Sequence, residues 1–336
     1  MANSQRIVFT DRLQVSLETF DGPQGLPAAH EVDIETLYSA ISSGTELALL
    51  TNDQDIDHWQ GEPYPANPGY AAVGRITAVG PEIGHLQTGD LVFAPVGHAS
   101  QHRIHCQHAP VIPLPAGTPP EDAVYARFCS VSMTTLRTTQ ARPGDGVAVF
   151  GLGIVGAMAA QVFQASGYEV AGIDPAAQRR RRALDCGLRH ALDPSQLDSW
   201  QQTVGTPCRL VVDTSGSVEA IQAATELADK GAEIVLVGVP WKGDQAHPMS
   251  DLLQAVFTKY LQVRGGWEWE IPQFPASFSR GSIEQNMQHA VNLFARGQIQ
   301  AAPLRSHLLK PQRAEEAYMG LLKDKETYHS VVFDWS

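Results

Sequence analysis

The feature that most constrains this chain of 336 residues is a glycine turn near its middle, Val147-Ala-Val-Phe-Gly151-Leu-Gly153-Ile-Val-Gly156. A GxGxxG spacing on its own is weak evidence. Here it follows an uninterrupted apolar run at 147–150 and opens a helical pattern over 154–166 that Gly167 stops. In a strand–turn–helix each glycine has a physical role. Gly151 makes the tight turn, Gly153 lets backbone approach a pyrophosphate, and Gly156 lets the helix pack on the strand. Leu152, Ile154 and Val155 complete the turn and the helix N-terminus, whose amide donors and positive dipole end suit phosphate.

A second apolar run at 169–173 ends at Asp174, 18 residues beyond Gly156. A carboxylate near that distance holds the adenosine ribose hydroxyls and repels a 2′-phosphate, which favours NAD over NADP. Four consecutive arginines, 179–182, follow. The run reads as the solvated face of the second helix, the alternative being that a guanidinium near the ribose, such as that of Arg179, accepts a 2′-phosphate.

The rest of the chain has two rhythms. Up to about residue 118, short β-type runs (6–9, 31–38, 72–79, 90–93) alternate with Gly, Pro and Asn, the pattern of a small β-barrel or sandwich. From about residue 120, strands at 147–150, 169–173, 210–212, 234–237 and 261–263 alternate with helical stretches at 154–166, 176–186, 218–229 and 251–258. That alternation predicts βαβ units and a doubly wound parallel sheet. Two more helices are expected at 283–295 and 312–322, and a closing strand at 329–335 that pairs back into the first domain.

Charge and composition narrow the function. The net charge of −12 argues against nucleic-acid or anionic-membrane binding, which need a basic field. The longest apolar run, 147–160, is shorter than the roughly 20 residues of a membrane span. The first residues carry no apolar signal segment, and Cys106, Cys129, Cys186 and Cys208 form no CxxC pair, so free thiols and a cytoplasmic location are expected.

Three further stretches carry a resemblance. Ile41-Ser-Ser-Gly-Thr-Glu46 is similar to a Gly-x-Cys-Gly-(Thr/Ser)-Asp element, and Asn67-Pro-Gly-Tyr70-Ala-Ala-Val-Gly-Arg-Ile-Thr-Ala-Val-Gly80 to a Gly-His-Glu-x-x-Gly element. Arg142-Pro-Gly-Asp-Gly-Val-Ala-Val-Phe-Gly151 is similar to the entry of a nucleotide domain. Together they resemble the medium-chain dehydrogenase/reductase family over nearly the whole chain. The resemblance implies a GroES-like, β-rich catalytic domain (1–118 and 268–336) around a Rossmann NAD-binding domain (119–267). It also implies nicotinamide contacts from Thr214 and Ser215 in Val212-Asp-Thr-Ser-Gly216 and from Gly238 and Val239 in Leu236-Val-Gly-Val-Pro240.

The departures from that pattern shape the expected chemistry. Where zinc-dependent members place a Cys and a His, this chain has Ser43 and Tyr70, and Ala71 replaces the Glu. A neutral hydroxyl and a phenol are poor zinc ligands. The third-ligand region around 126–129 offers only Cys129, better read as a small buried apolar residue, and the four-cysteine structural lobe is missing. The resemblance implies that the run His98, His102, His105, Cys106, His108 is a strand, whose alternation would send His102 and His105 to opposite faces. No zinc is therefore expected. A looser resemblance is to the zinc-free branch that contains the bacteriochlorophyllide hydroxyethyl dehydrogenases.

The expected reaction is hydride transfer between NAD and a secondary alcohol or ketone. Tyr70 handles the proton, with Thr45 and Ser43 orienting it; the alternative reading makes Tyr70 aromatic filler of a vacated metal pocket. Glu46 takes the place of an acidic residue that pairs with a cation or sits at a domain seam. His58, Trp59, Trp241, Trp267 and Trp269 suggest pocket walls for a ring-shaped, sugar-like or aromatic substrate, although each can serve core or interface. A reductase of an enone or quinone, and a dinucleotide-binding protein without catalysis, are the competing functions. The family habit implies a homodimer.

Overall fold

In a computed structural model, residues 4–52, 64–239 and 249–336 are described. They divide into two compact units. One takes the chain to Arg127 and adds Met287–Gly297 and Arg305–Ser336; the other holds Phe128–Asn286 and Gln298–Leu304. The expected boundaries, 119 and 267, differ from these, and side chains supply the reason. Tyr125 Oη meets Ser330 Oγ at 2.5 Å and Arg305 pairs with Asp122 at 2.7 Å, which ties 119–127 to the β-rich unit. Arg137 bonds Asn286 and Arg280 reaches the carbonyl of Thr138, which ties 268–286 to the nucleotide unit.

The β-rich unit begins with a hairpin of β1 (Ser4–Asp11) and β2 (Gln14–Phe20). Then come β3 (Glu31–Ala40), the helix α1 (Ser43–Thr51), β4 (Ala72–Val79), β5 (Leu91–Ala94), β6 (Gln101–His105), β7 (Ile112–Pro113) and a single turn, α2 (Pro120–Ala123). Strand β3 alternates in burial and pairs antiparallel with both β4 and β6. As expected, the chain returns at its end: β15 (Val331–Asp334) pairs antiparallel with β3, opposite Tyr38, Ser39 and Ala40. Helix α10 (Ala314–Lys323) packs Tyr318 and Ala317 into the core with Phe9, Ile41, Leu50 and Phe333.

The nucleotide unit carries α3 (Ala126–Thr138, its first two residues counted with the β-rich unit), β8 (Gly146–Phe150), α4 (Ile154–Ala165), β9 (Glu169–Ile173), α5 (Ala177–Asp185), β10 (His190–Leu192), α6 (Trp200–Thr203), β11 (Cys208–Asp213), α7 (Val218–Leu227), β12 (Glu233–Leu236), α8 (Met249–Lys259) and β13 (Gln262–Gly265). The six strands run parallel in the order β10-β9-β8-β11-β12-β13. Alternate residues of β8 face opposite layers: Val147 and Val149 pack with Phe163 of α4, while Ala148 and Phe150 pack with Ala224 of α7. This is the doubly wound Rossmann arrangement, and the order reverses between β8 and β11, where such folds hold ligands. Between β13 and α9 (Ile283–Ala295) lies a 3-10 turn, Glu268–Glu270; strand β14 (His307–Leu309) follows and belongs to the β-rich unit. Among the described residues no helix is long and apolar enough to cross a membrane.

Candidate active site

The glycine turn after β8 has the form its sequence predicts. Gly151 adopts φ +84°, a left-handed backbone that suits glycine, and its amide donates to the carbonyl of Ile173 at 2.8 Å. A Cβ on Gly156 would lie 1.7 Å from the Gly151 carbonyl oxygen, so α4 touches the turn itself. A Cβ on Gly153 would meet nothing within 4 Å. Gly153 is also the N-cap of α4, with no side chain satisfying the helix amides. Open space before free amides fits a pyrophosphate.

Asp174 closes the turn from the end of β9. It is 1% exposed, with Oδ2 accepting from the amide of Leu152 at 2.8 Å and Oδ1 from the amide of Ala176 at 2.8 Å. Its carboxylate therefore braces the glycine turn, at the position where the sequence pattern expects a ribose to be held. Arg179, half exposed, reaches Oδ2 at 3.4 Å. The arginine run is not one solvated face. Arg180 folds inward to the carbonyls of Asp174 and Pro175 and to Asp193, while Arg181 lies outside beside Asp185.

The neighbouring strand ends pack around the same turn. Thr214 donates to the carbonyls of Phe150 and Gly151, at 3.0 and 2.8 Å. Ser215 is held by Asp213 at 2.5 Å. Gly238 lies so close to 214–216 that a Cβ would come within 2.4 Å of the Gly216 amide. Val239 is exposed beside them. Burial pushes the Asp213 carboxyl above its usual range, against the hydrogen bonds from Ser215 and Gly216. Trp267 and Trp269 are exposed at the 3-10 turn after β13, and His58, Trp59 and Trp241 lie outside the described residues.

In the β-rich unit, hydroxyls gather around Tyr70. Its Oη donates to Ser42 Oγ and lies 3.4 Å from Thr45 Oγ1. Ser42, not Ser43, meets the phenol. Helix α1 starts at Ser43, and its N-cap Ser42 leaves the helix amides without a side-chain cap and turns its hydroxyl to Tyr70. Burial pushes the Tyr70 phenol above 10.0, an effect that Glu46 reinforces and that Ser42, Thr45 and Arg127 oppose. The Arg127 guanidinium lies over the ring, 5.0 Å from its centroid.

Beneath this cluster is a buried acid–imidazole pair. Glu46, 2% exposed, accepts from the Ser42 amide through Oε1, and from Tyr318 Oη at 2.5 Å through Oε2. His98 Nε2 lies 3.1 Å from the same oxygen, and its Nδ1 lies 2.8 Å from Ser39 Oγ, which in turn accepts from Trp335 Nε1. The His98 ring packs against Gly69, where a Cβ would stand 2.7 Å from it and φ is +96°. Glu46 thus pairs inside its own unit. Glu46 and His98 place Ser42 and the backbone that presents Tyr70.

Two family models match the chain, "Alcohol dehydrogenase GroES-like domain" over residues 28–166 and "Zinc-binding dehydrogenase" over 155–280. A 2-desacetyl-2-hydroxyethyl bacteriochlorophyllide A dehydrogenase of Cereibacter sphaeroides is 26% identical over 326 residues, 92% of either chain. An alcohol dehydrogenase of Geobacillus stearothermophilus is 29% identical over 217 residues, 54% of this chain and 64% of that protein. The chain therefore spans less than two thirds of the latter's length. The galactitol-1-phosphate dehydrogenase of Escherichia coli has the same fold, with a TM-score of 0.80 at 20% identity over 98% of this chain and 99% of that one. The chain belongs to the medium-chain dehydrogenase/reductase superfamily.

The name of one family model implies zinc, and the donors at Tyr70 do not fit it. Among the described residues, around the phenol stand hydroxyls, a carboxylate already engaged by the Ser42 amide, Tyr318 and His98, and a guanidinium. Burial raises the Cys129 thiol far above its usual value, so it offers no thiolate. Among the described residues no group of three or more His, Cys, Asp or Glu is placed to hold a metal ion. In the histidine run, His105 stacks on His108, and burial pushes His102 down to about 4, uncharged at neutral pH.

Ser42, Arg127 and the role of His98 escape sequence reasoning. Ser42 stands one place from the residue in register with the motif. Arg127 lies in a stretch whose only metal-ligating residue type is Cys129, and nothing local marks a guanidinium there as a partner of Tyr70. His98 precedes the strand of the histidine run, which begins only at Gln101.

Proposed function

We propose that this protein interconverts a secondary alcohol and a ketone by hydride transfer with NAD, without zinc, and that Tyr70 handles the hydroxyl proton. The observation that carries this reading is a tyrosine hydroxyl held by Ser42 and Thr45 in the β-rich unit of a dehydrogenase fold, where hydroxyls stand instead of metal ligands. Residues of the glycine turn, with Asp174 and Arg179, would hold the dinucleotide, which supplies or accepts the hydride when bound.

What the chain itself must manage is the proton and the charge that builds on the substrate oxygen. General acid–base help of this kind contributes about 10²–10⁴-fold. A phenol raised above 10.0 keeps its proton at neutral pH, so Tyr70 is ready as the acid that protonates a ketone oxygen. Alcohol oxidation needs the deprotonated phenol, so its rate rises with pH toward that value while ketone reduction does not. Thr45 and Ser42 keep Oη oriented. The NAD preference rests on the carboxylate of Asp174, which repels a 2′-phosphate. The exposed Trp267 and Trp269 suit a ring-shaped substrate.

The test is a spectrophotometric panel of secondary alcohols, cyclitols, sugars and their ketones with NAD and NADP, before and after a chelator. Turnover that survives chelation and falls at least about tenfold in Tyr70→Phe, with NAD binding intact, is the expected result. Unchanged turnover in that variant, or activity restored by added zinc, refutes the mechanism.

A further inference from the structure

Arg127, on the first turn of α3, is 7% exposed, and its guanidinium lies 5.0 Å from the centroid of the Tyr70 ring. An arginine does not release its proton, so this is a permanent positive charge in a desolvated setting. There a cation on an aromatic face is attracted more strongly than at an exposed site. Among the described residues, the other groups facing Tyr70 are the neutral hydroxyls of Ser42 and Thr45 and the carboxylate of Glu46. Glu46 is engaged by the Ser42 amide, Tyr318 and His98, and His98 packs against Gly69. When a ketone is reduced, its carbon takes a hydride from the reduced dinucleotide and its oxygen takes the phenol proton. The phenol O–H bond breaks, a substrate O–H bond forms, and a negative charge is left on Tyr70 Oη. Oxidation runs the same exchange backwards.

We infer that Arg127 is a positioning residue for this proton transfer, its buried guanidinium holding the Tyr70 ring and stabilising the negative charge left on the phenolate oxygen. The inference rests on the reading of Tyr70 as the proton carrier. A side chain bearing charge at this point does what an electrostatic stabiliser must: it is fixed before the charge appears and is shielded from water.

The experiment compares wild type, Arg127→Lys, Arg127→Met, Tyr70→Phe and the Arg127→Met/Tyr70→Phe double variant. Ultraviolet tyrosinate absorbance is followed against pH without dinucleotide or substrate, with circular dichroism confirming the fold at each pH. The signal of Tyr70 is the difference between each parent and its Tyr70→Phe partner. The expected result is a Tyr70 ionisation midpoint displaced to higher pH in Arg127→Met and restored toward wild type in Arg127→Lys. In turnover, Arg127→Met should cost about tenfold in the wild-type background and nothing further in Tyr70→Phe. A midpoint unmoved in folded Arg127→Met overturns the inference, and so does an equal rate loss in both backgrounds. If Arg127→Met does not fold, Arg127→Lys decides: a midpoint far from the wild-type one in that charge-conserving variant overturns it. Failure of the Tyr70 reading looks different, since Tyr70→Phe alone would then leave turnover unchanged whatever Arg127 does to the midpoint.

Discussion

Gly153 and Gly156 stand three residues apart and respond to a side chain in opposite ways. A Cβ at 156 collides with the Gly151 carbonyl and Thr214 Oγ1, so Gly156→Ala should lower the melting temperature and dinucleotide affinity together. A Cβ at 153 meets nothing in the protein. Gly153→Ala should therefore keep its melting temperature while dinucleotide affinity, followed by calorimetry, weakens about tenfold or more; undiminished affinity would remove the turn from the site. Asp174→Ala leaves the amides of Leu152 and Ala176 without their acceptor, and each charge-assisted bond of this kind is worth about 1.5–3 kcal/mol. Urea unfolding of that variant should show a loss of about 2 kcal/mol or more, with a weakened preference for NAD over NADP. The glycines and Asp174 were legible in the sequence because their spacing along one chain segment sets their geometry. The double duty of Asp174 was not legible, since the Leu152 amide reaches it only through the fold.

At the level of elements, local pattern was a good guide wherever one segment supplies its own signal. The run at 169–173 and the helix at 283–295 appear with the expected bounds, and the strand at 147–150 differs by one residue. Helix α1 gave no such signal. Its sequence, Ser-Gly-Thr-Glu-Leu-Ala-Leu-Leu-Thr, lacks a strong amphipathic period, and its first turn is organised by Glu46, which is held by Tyr318, 272 residues away in sequence. Removing that carboxylate should be costly. Glu46→Ala leaves the Ser42 amide and the Tyr318 hydroxyl buried without an acceptor, at about 1–3 kcal/mol each. Chemical denaturation should show a loss of about 3 kcal/mol, and turnover should fall with it because Ser42 loses its anchor. A fully stable Glu46→Ala would mean that the buried pair does not organise this element.

At the scale of the whole molecule, the parallel sheet ends at β13, whose outer edge has no strand beside it among the described residues. The helix before it exposes Leu253 and Phe257 (82%), and Tyr260, just past its end, is exposed too. An open strand edge beside apolar side chains favours pairing with a second copy, as the homodimer expectation requires. Sedimentation of the purified chain should give a dimer, and Phe257→Glu should shift it to monomer; a monomeric wild type rejects this surface. The division into two units was only partly readable from order along the chain, because residues 119–127 and 268–286 join their units through Tyr125–Ser330 and Arg137–Asn286, contacts between distant segments. The order of apolar runs, turn residues and glycines was enough for the nucleotide fold, since strand, turn and helix are adjacent there and each residue's neighbours are its chain neighbours. The tyrosine cluster is different. Ser42 rather than Ser43 meets the phenol because α1 rotates one hydroxyl inward, and Glu46, His98, Tyr318 and Arg127 come together from four separate segments. Only tertiary packing decides which of several hydroxyls and charges share one small, poorly hydrated volume, because that depends on distances between segments that no local period encodes.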